Sequence, residues 1–470
     1  MIRLAGSDAV FKDGETGLWT VAFSGTGTES TCLDFVRRLA AAVQDIDRLT
    51  DEELALELLI VESEDPMRFL ETVPSPSTVR WGLQGPGLFG AGTSTVATLT
   101  REEVVTWVRE RFTGDRAVVV LTGPWGLDVD PALSLPSPPS GLARISSASS
   151  GLKVPVAVPT ARGGAVLSVL VPAALAPSIA AAAQHRFFSA LRHNAGLAYV
   201  VDVQTDRVDA GTVLLEVVVG ASSQRARETV VRLVELARQI GAHGFGDEAV
   251  ARARLAASLT KADADARVAI VADDAVRTHL LGHPADDLEA ELRVGELIED
   301  EAMRVAWAAA VEEAVVMVDE DAELGDPAAF STAVGMRWDE LAPAVEVPVT
   351  EARREARGHR TWKNSLLAPL ASDRGTLTDD ELLVQSGTRA WRVPLQEVAV
   401  AVVAEGDVVL VMRDGRRLRI ERDGWLRGAS FVAAVVAAVE KIDPVLVRHV
   451  PPRPDKTLRP EDGHGESTAR

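Results

Sequence analysis

Residues 187–220 read FFSALRHNAGLAYVVDVQTDRVDAGTVLLEVVVG, and the fold turns on how this stretch is read. It predicts the end of a helix, a glycine stop and a long β-hairpin. Ile179, Ala183, Phe187 and Leu191 recur every four residues, giving one apolar helical face, and Pro177 suits the first turn of that helix. Gly196 stands just past the last periodic residue, where a left-handed cap costs little without a Cβ. Residues 197–204 and 211–219 are rich in β-branched side chains, and TDRVDAG joins them as the turn.

Two polar groups frame the junction. Arg192 lies in the last helical turn and Tyr199 in the first strand, a spacing of 199 − 192 = 7. Tyr199 is the only tyrosine in a chain that has nine tryptophans. An arginine fork and a phenol across such a corner are both donors and can hold a carbonyl lying between them. The plainer alternative is a helix-capping cation beside a half-buried strand aromatic.

The segment LRHNAGLAYVVDV resembles the second homologous domain of the insulinase-like (pitrilysin) zinc peptidases, which carries an arginine, a Gly-Leu-Ala-Tyr-like stretch and a hairpin. The resemblance implies that Arg192 and Tyr199 bind the substrate backbone near the scissile bond. It also implies that the zinc site belongs to the first homologous domain.

The 470 residues suggest two to four domains with ample core. Apolar residues make up 47% and aromatics only 4%, so the cores must be built mainly from Ala, Val and Leu. A net charge of −20 argues against nucleic acid as the main partner, because phosphate binding needs a basic footprint. Cys32 is the sole cysteine, sits in a helical apolar pattern as a core residue, and leaves no intrachain disulfide. MIRLAGSDAVFKDG holds no apolar run of signal-peptide length and no later stretch reaches a membrane span, so the expectation is a cytoplasmic protein.

From the N-terminus, residues 17–24 alternate as a strand, and Ser30 or Thr31 is placed to cap a helix through Ile46. A second helix starts near Thr50 and stops before Asp65–Pro66; residues 74–92 form a loop. Thr100 caps TREEVVTWVRERF in a capping box with Glu103, and residues 117–121 read as a buried strand. Strands are expected at 153–158 and 165–171, helices at 225–240, from Asp247 to about Gly282 and at 301–313, and a buried strand at 314–318.

An internal repeat ties two units together. The stretch beginning GLWTVAFSGTG runs parallel to that beginning GTVLLEVVVGA: Gly17 matches Gly211 and Ile46 matches Ile240, both offset by 194. Their endings, TREEVVTWVRERFTGDRAVVVLTG and LIEDEAMRVAWAAAVEEAVVMV, each read as a helix and then a short apolar strand. The second unit has 211 − 151 = 60 residues ahead of its glycine and the first only 16, so the first is expected to be incomplete. LAGSDAVF resembles the stretch that follows the family's zinc helix.

The family's motif is His-x-x-Glu-His, two helical histidines on zinc with the glutamate as base. All eight histidines (His185, His193, His243, His279, His283, His359, His449 and His464) follow residue 184, and none begins the motif. The helix LALELLIVESED resembles the one that supplies the third ligand, with Glu57 or Glu62 as its remnant, but one acid does not hold catalytic zinc. His279 and His283 are spaced i, i+4 near Asp274, a chelating spacing set against the commoner role of histidines at a helix C-terminus.

Past residue 358 the pattern changes to short strands with DG turns and a closing helix from about Ala429 to Ile442, which resembles pleckstrin-homology-like barrels. Such barrels bind lipid headgroups or peptides, and Arg413, Arg416, Arg417 and Arg419 concentrate on one hairpin, with a solvated edge strand as the simpler reading.

The expected architecture is α+β: two repeated peptidase-like α/β sandwich units, the first incomplete, followed by a small β-barrel with a C-terminal helix. The divisions are 1–128, a Pro/Ser-rich linker 129–150, 151–340, a connector 341–357, the barrel 358–445 and a disordered tail 446–470. The expected function is a non-catalytic, substrate-binding subunit of a peptidase heterodimer. Arg192 and Tyr199 would meet a peptide or protein substrate. No catalytic residue, metal ligand or cofactor is expected in the chain itself, with zinc in a homologous partner subunit. Membrane contact would run through the barrel. The alternatives are an active zinc peptidase whose start was placed too late, and a degenerate peptidase-fold binding module.

Overall fold

The computed structural model describes residues 11–64, 75–88, 95–123, 133–137, 152–160, 163–285, 287–341, 345–364 and 373–450. Apart from two short exchanges, the chain divides into two units between residues 342 and 343.

The first repeat opens with strands β1 (Phe11–Thr16) and β2 (Val21–Thr26), paired antiparallel from Phe11↔Thr26 to Thr16↔Val21. β1 was not anticipated; residues 1–10, including most of LAGSDAVF, lie outside the described residues. Helix α1 (Glu29–Gln44) is capped by Thr28, whose hydroxyl accepts from Thr31 N–H at 3.4 Å, two to three residues earlier than expected. Its apolar stripe buries Cys32, Phe35, Ala40 and Val43. Helix α2 (Asp51–Glu64) has Thr50 and Glu53 bonding each other's backbone N–H at 2.9 and 3.2 Å. After the short helix α3 (Pro76–Trp81) comes α4 (Arg101–Arg111), whose capping box of Thr100 and Glu103 forms in both directions. Val43, Ile46, Leu49, Val105 and Val108 make a small core there. Of the linker read at 129–150, residues 133–137 are described. Leu135 packs on that core, and Ser134 accepts from Gln44.

Residues 117–121 do not form the expected strand: Ala117 has extended backbone, but no ladder partner is present among the described residues, and Val119 and Val120 are exposed. A β-branched run supplies conformation only; pairing requires a neighbour.

In the second repeat the corresponding strand, Val315–Asp319, has neighbours on both sides. The elements of that repeat are β3 (Val156–Thr160), β4 (Ala165–Pro172), α5 (Ala176–Phe187), β5 (Val200–Arg207), β6 (Thr212–Gly220), α6 (Ser223–His243), α7 (Asp247–Ala262), α8 (Ala264–Val276), α9 (Leu288–Glu296), α10 (Asp300–Val311), β7 (Val315–Asp319), α11 (Pro327–Val334) and β8 (Arg337–Trp338). One sheet runs in the order β5-β6-β4-β7-β3-β8, antiparallel across its first four strands and parallel across the last three. Its inner face, with Leu167, Leu215 and Val316, packs on Ile179, Phe187, Leu233, Ile240 and Trp307, all fully buried. Each such side chain contributes roughly 1.5–3 kcal/mol by leaving water. Trp307 Nε1 donates to the Ala237 carbonyl at 2.9 Å, so the indole is buried without an orphaned donor.

The other face of that sheet is covered by the chain itself. Val79 of α3 packs on Val156, Val158, Val166, Val315 and Met317. Beside it, Arg80 donates to Ser168 Oγ at 3.3 Å and to the Glu313 carbonyl at 2.9 Å, and also reaches the Ser168 carbonyl. Burial lowers the Arg80 pKa to about 10, with Glu216 and Glu313 acting in the opposite sense.

The single helix expected from Asp247 to Gly282 is broken. Asp263 leaves helical geometry (φ −90°, ψ 110°) and its carboxylate caps α8 through Asp265 and Ala266 N–H. Among the described residues no helix is long and apolar enough to cross a membrane.

The second unit holds β9 (Val345–Val347), α12 (Val349–Glu355), β10 (Arg360–Lys363), β11 (Arg374–Leu377), β12 (Glu381–Ser386), β13 (Arg389–Pro394), β14 (Val398–Ala404), β15 (Asp407–Met412), β16 (Arg417–Ile420), α13 (Gly428–Ile442) and β17 (Val447–His449). Two expectations change here. The stretch read as a connector at 341–357 contributes β9, which pairs with β13, and α12, whose Ala352 packs on Ala390. The tail read as disordered from 446 begins with β17, which pairs in parallel with β14. The strands form a five-stranded sheet, β10-β11-β12-β13-β9, and a four-stranded one, β16-β15-β14-β17, with no closed barrel among the described residues. Trp362 stacks on Phe431 of α13 at 4.8 Å in the core, and Gly375 leaves the space that the Phe431 ring takes.

Candidate functional site

The corner between α5 and β5 forms as its sequence suggests, with two departures. Ile179, Ala183, Phe187 and Leu191 are all fully buried, and Gly196 has φ +58°. One departure is the winding, since Phe188–Asn194 is π-helical; the other is the strand, which runs Val200–Arg207 instead of 197–204 and leaves Tyr199 just ahead of it. The Leu191 carbonyl then accepts from both Leu197 and Ala198 N–H, at 2.8 and 3.3 Å, which closes the corner and starts the strand.

Arg192 is exposed in the π-turn, its guanidinium 5.3 Å from the Phe188 ring centroid, a cation–π geometry. His193 stands edge-on to the same ring at 4.8 Å. Tyr199 is 64% exposed. Its N–H donates to the Gly220 carbonyl at 3.0 Å, and a Cβ built on Gly220 would lie 2.9 Å from its Cζ. The phenol therefore lies against bare backbone at the end of β6. Among the described residues neither the Arg192 guanidinium nor the Tyr199 hydroxyl has a hydrogen-bond partner. Two donors, an arginine fork and a phenol, stand open to solvent at one corner.

Two side chains that sequence reasoning missed brace it. Arg225, in the first turn of α6, donates to the Gly196 carbonyl at 2.6 Å, and Gln184 Nε2 donates to the Val201 carbonyl at 2.9 Å. An arginine in the first turn of a helix is unfavourable to the helix dipole, and that was the available sign of a task elsewhere. Beyond the corner β5 is an outermost strand of its sheet, and its far end meets the first repeat: Trp19 Nε1 donates to the Val208 carbonyl at 3.1 Å. Burial, helped by Glu15, raises the Asp206 carboxyl above its ordinary range.

The candidate zinc residues do not fit the metal. Glu57 lies on half-exposed helix surface with no histidine in its repeat, and the side chain of Glu62 lies outside the described residues. His279 and His283 do not share a helical face, because the helix turns π-helical at Arg277 and ends at Gly282, which has φ +69°. Asp274 is engaged by Arg277 at 3.6 Å. Among the described residues no three His, Cys, Asp or Glu side chains are placed to hold a metal ion.

The arginines of the C-terminal hairpin are largely spoken for. Arg419 pairs with Asp407 and Glu421 at 3.1 and 3.4 Å, Arg416 pairs with Asp414 at 3.2 Å, and Arg417 is buried. Arg413 is exposed.

The architecture recurs among solved structures. The chain aligns with a peptidase M16 inactive domain from Pseudomonas fluorescens at a TM-score of 0.52 and 12% identity, over 68% of this chain and 82% of that one. A chain of complex III2 from Candida albicans, in an Inz-5-bound structure, gives 0.53 at 14% identity, over 70% and 87%. A protease from Helicobacter pylori gives 0.50 at 14% identity, over 66% and 82%. No family model matches the sequence, and no curated protein does. At these identities the likeness is one of fold: the protein has the insulinase-like, M16-peptidase fold.

Proposed function

We propose that this chain is an inactive peptidase-like subunit that grips an extended peptide at the α5–β5 corner. The observation that carries the reading is the corner itself: the Arg192 and Tyr199 side chains are exposed, have no carboxylate or carbonyl partner among the described residues, and are braced from behind by Gly220 and Arg225. Tyr199 would donate to one backbone carbonyl of the peptide, while Arg192 would hold the peptide backbone or a developing negative charge beside it. The non-catalytic part of the proposal is supported by sequence. The 470 residues contain no His-x-x-Glu-His, and no histidine precedes residue 185. The fold likeness to an inactive domain and to a chain of a multisubunit complex supports a role in assembly. The partner would be a homologous subunit bearing zinc, and the expected compartment is the cytoplasm.

The test uses the purified chain and a quenched fluorescent peptide library. The expected result is no cleavage with or without added zinc, together with saturable binding of intact peptide. Cleavage by the chain alone, abolished by chelation and restored by one equivalent of zinc, would overturn the proposal in favour of an active metallopeptidase.

A further inference from the structure

A second site stands in the C-terminal unit, on the face of the five-stranded sheet under α12. Antiparallel register puts Lys363, Arg374 and Gln385 in one cross-strand row and Thr361, Thr376 and Leu383 in the next, on the same face. Arg353 and Arg357 come from α12 and the turn after it, and with Arg374 they line a cleft of about 210 Å³ floored by Thr361, Thr376 and Gln385. Thr376 and Gln385 are buried. Gln385 Oε1 accepts from Arg353 Nε at 3.3 Å, and the two threonine hydroxyls bond each other at 2.9 Å.

The charges in this cleft are unbalanced. Lys363 and Arg374 stand directly opposite one another, an arrangement that destabilises a sheet when nothing lies between them. Among the described residues none of Arg353, Arg357, Lys363 and Arg374 is in an ion pair, and the buried Nε of Arg374 has no hydrogen-bond partner. Of the residues that join β10 to β11, Asp373 alone is acidic, and its carboxylate accepts from Asn364 Nδ2 at 3.3 Å. One neighbour on the same face is treated differently. Arg392 is held by Glu351, Glu355 and Glu381 at 3.2, 2.6 and 3.1 Å. In a chain of net charge −20, three guanidinium groups line a cleft that has no carboxylate in its wall, and Lys363 stands across the strand from one of them.

We propose that this cleft binds a small phosphate-bearing anion, either free in solution or presented as the headgroup of a lipid. A dianionic phosphate matches several guanidinium forks and hydroxyl donors, and it removes the Lys363–Arg374 repulsion; a single carboxylate would leave most of the positive charge unmatched. This site is independent of the α5–β5 corner.

The full chain is titrated calorimetrically with inorganic pyrophosphate, and sedimented with phosphatidylcholine vesicles with and without phosphatidylinositol 4-phosphate. The expected result is saturable pyrophosphate binding that weakens by at least about tenfold in Arg353→Gln/Arg357→Gln and in Arg374→Gln, each lost charge-assisted bond being worth about 1.5–3 kcal/mol. Arg419→Gln, which removes an equal charge from an ion-paired position, leaves binding unchanged. The double variant alters only exposed side chains, so an unshifted Tm keeps the comparison valid if Arg374→Gln fails to fold. Sedimentation with the phosphoinositide vesicles, reversed by pyrophosphate, assigns the lipid source; pyrophosphate binding without sedimentation assigns a soluble one. Absence of binding to both probes, or equal weakening by Arg419→Gln, overturns the proposal.

Discussion

The hairpin Phe11–Thr26 and the hairpin Val200–Gly220 are each followed, three residues after the second strand ends, by an amphipathic helix: α1 at Glu29 and α6 at Ser223. The two helix starts differ by 223 − 29 = 194, the offset of the sequence repeat. After the second hairpin the sheet continues through β4, β7, β3 and β8, whereas β1 and β2 stand as a two-stranded sheet among the described residues. The consequence is visible at each repeat's closing helix. Trp307 of α10 is fully buried against Phe187 and Phe245, while Trp107 of α4 is 49% exposed. Local sequence can repeat a hairpin and a helix, but the closing tryptophan is buried only where central strands give its helix a surface to cover.

Paired substitutions can break that comparison. Trp307→Ala should cost about 3–5 kcal/mol in chemical denaturation and Trp107→Ala under about 1 kcal/mol; similar losses would mean that the first repeat is buried as deeply as the second. Arg80→Ala comes next, at about 3 kcal/mol, because it strips donors from the Ser168 and Glu313 carbonyls at a buried position; a neutral result would show that α3 is not needed on that sheet face. The two hairpin glycines should then separate. A Cβ at Gly25 meets the buried Phe35 ring and one at Gly220 meets the exposed Tyr199 ring, each at 2.9 Å. Gly25→Ala should lower stability by about 1–3 kcal/mol, whereas Gly220→Ala should spare Tm and weaken peptide binding.

Asp206→Asn is the smallest effect. Its carboxyl is raised in the folded chain by burial and Glu15, so the native state holds more protons than the unfolded one and stability falls as pH rises through that window. The amide variant should therefore have a slightly higher Tm at pH 7, with the gain vanishing below the ordinary carboxylate range.

Much of this was legible in the sequence because it is local. Thr100 with Glu103, the four-residue periodicity ending at Leu191 and the glycine stop at Gly196 each encode their structure within a few residues. What escaped depends on distant neighbours. Residues 117–121 have strand composition but no ladder partner among the described residues; residues 345–347 look like a connector yet find β13. The Arg192–Tyr199 corner could be located from its spacing, but the π-turn that sets it and the Arg225 brace could not, since the brace needs 225 to reach 196. Of the arginine clusters, the conspicuous run at 413–419 is largely ion-paired. The cleft gathers its arginines from 353, 357 and 374, which no short window contains together.

In the proposed function two exposed donors hold a peptide, and among the described residues no metal centre is placed. Fluorescence anisotropy of a labelled, uncleaved peptide against the wild-type chain and the Arg192→Ala/Tyr199→Phe variant addresses this most directly. A loss of at least about tenfold in affinity, at unchanged Tm, is the predicted result. Equal affinity in the two proteins would contradict it.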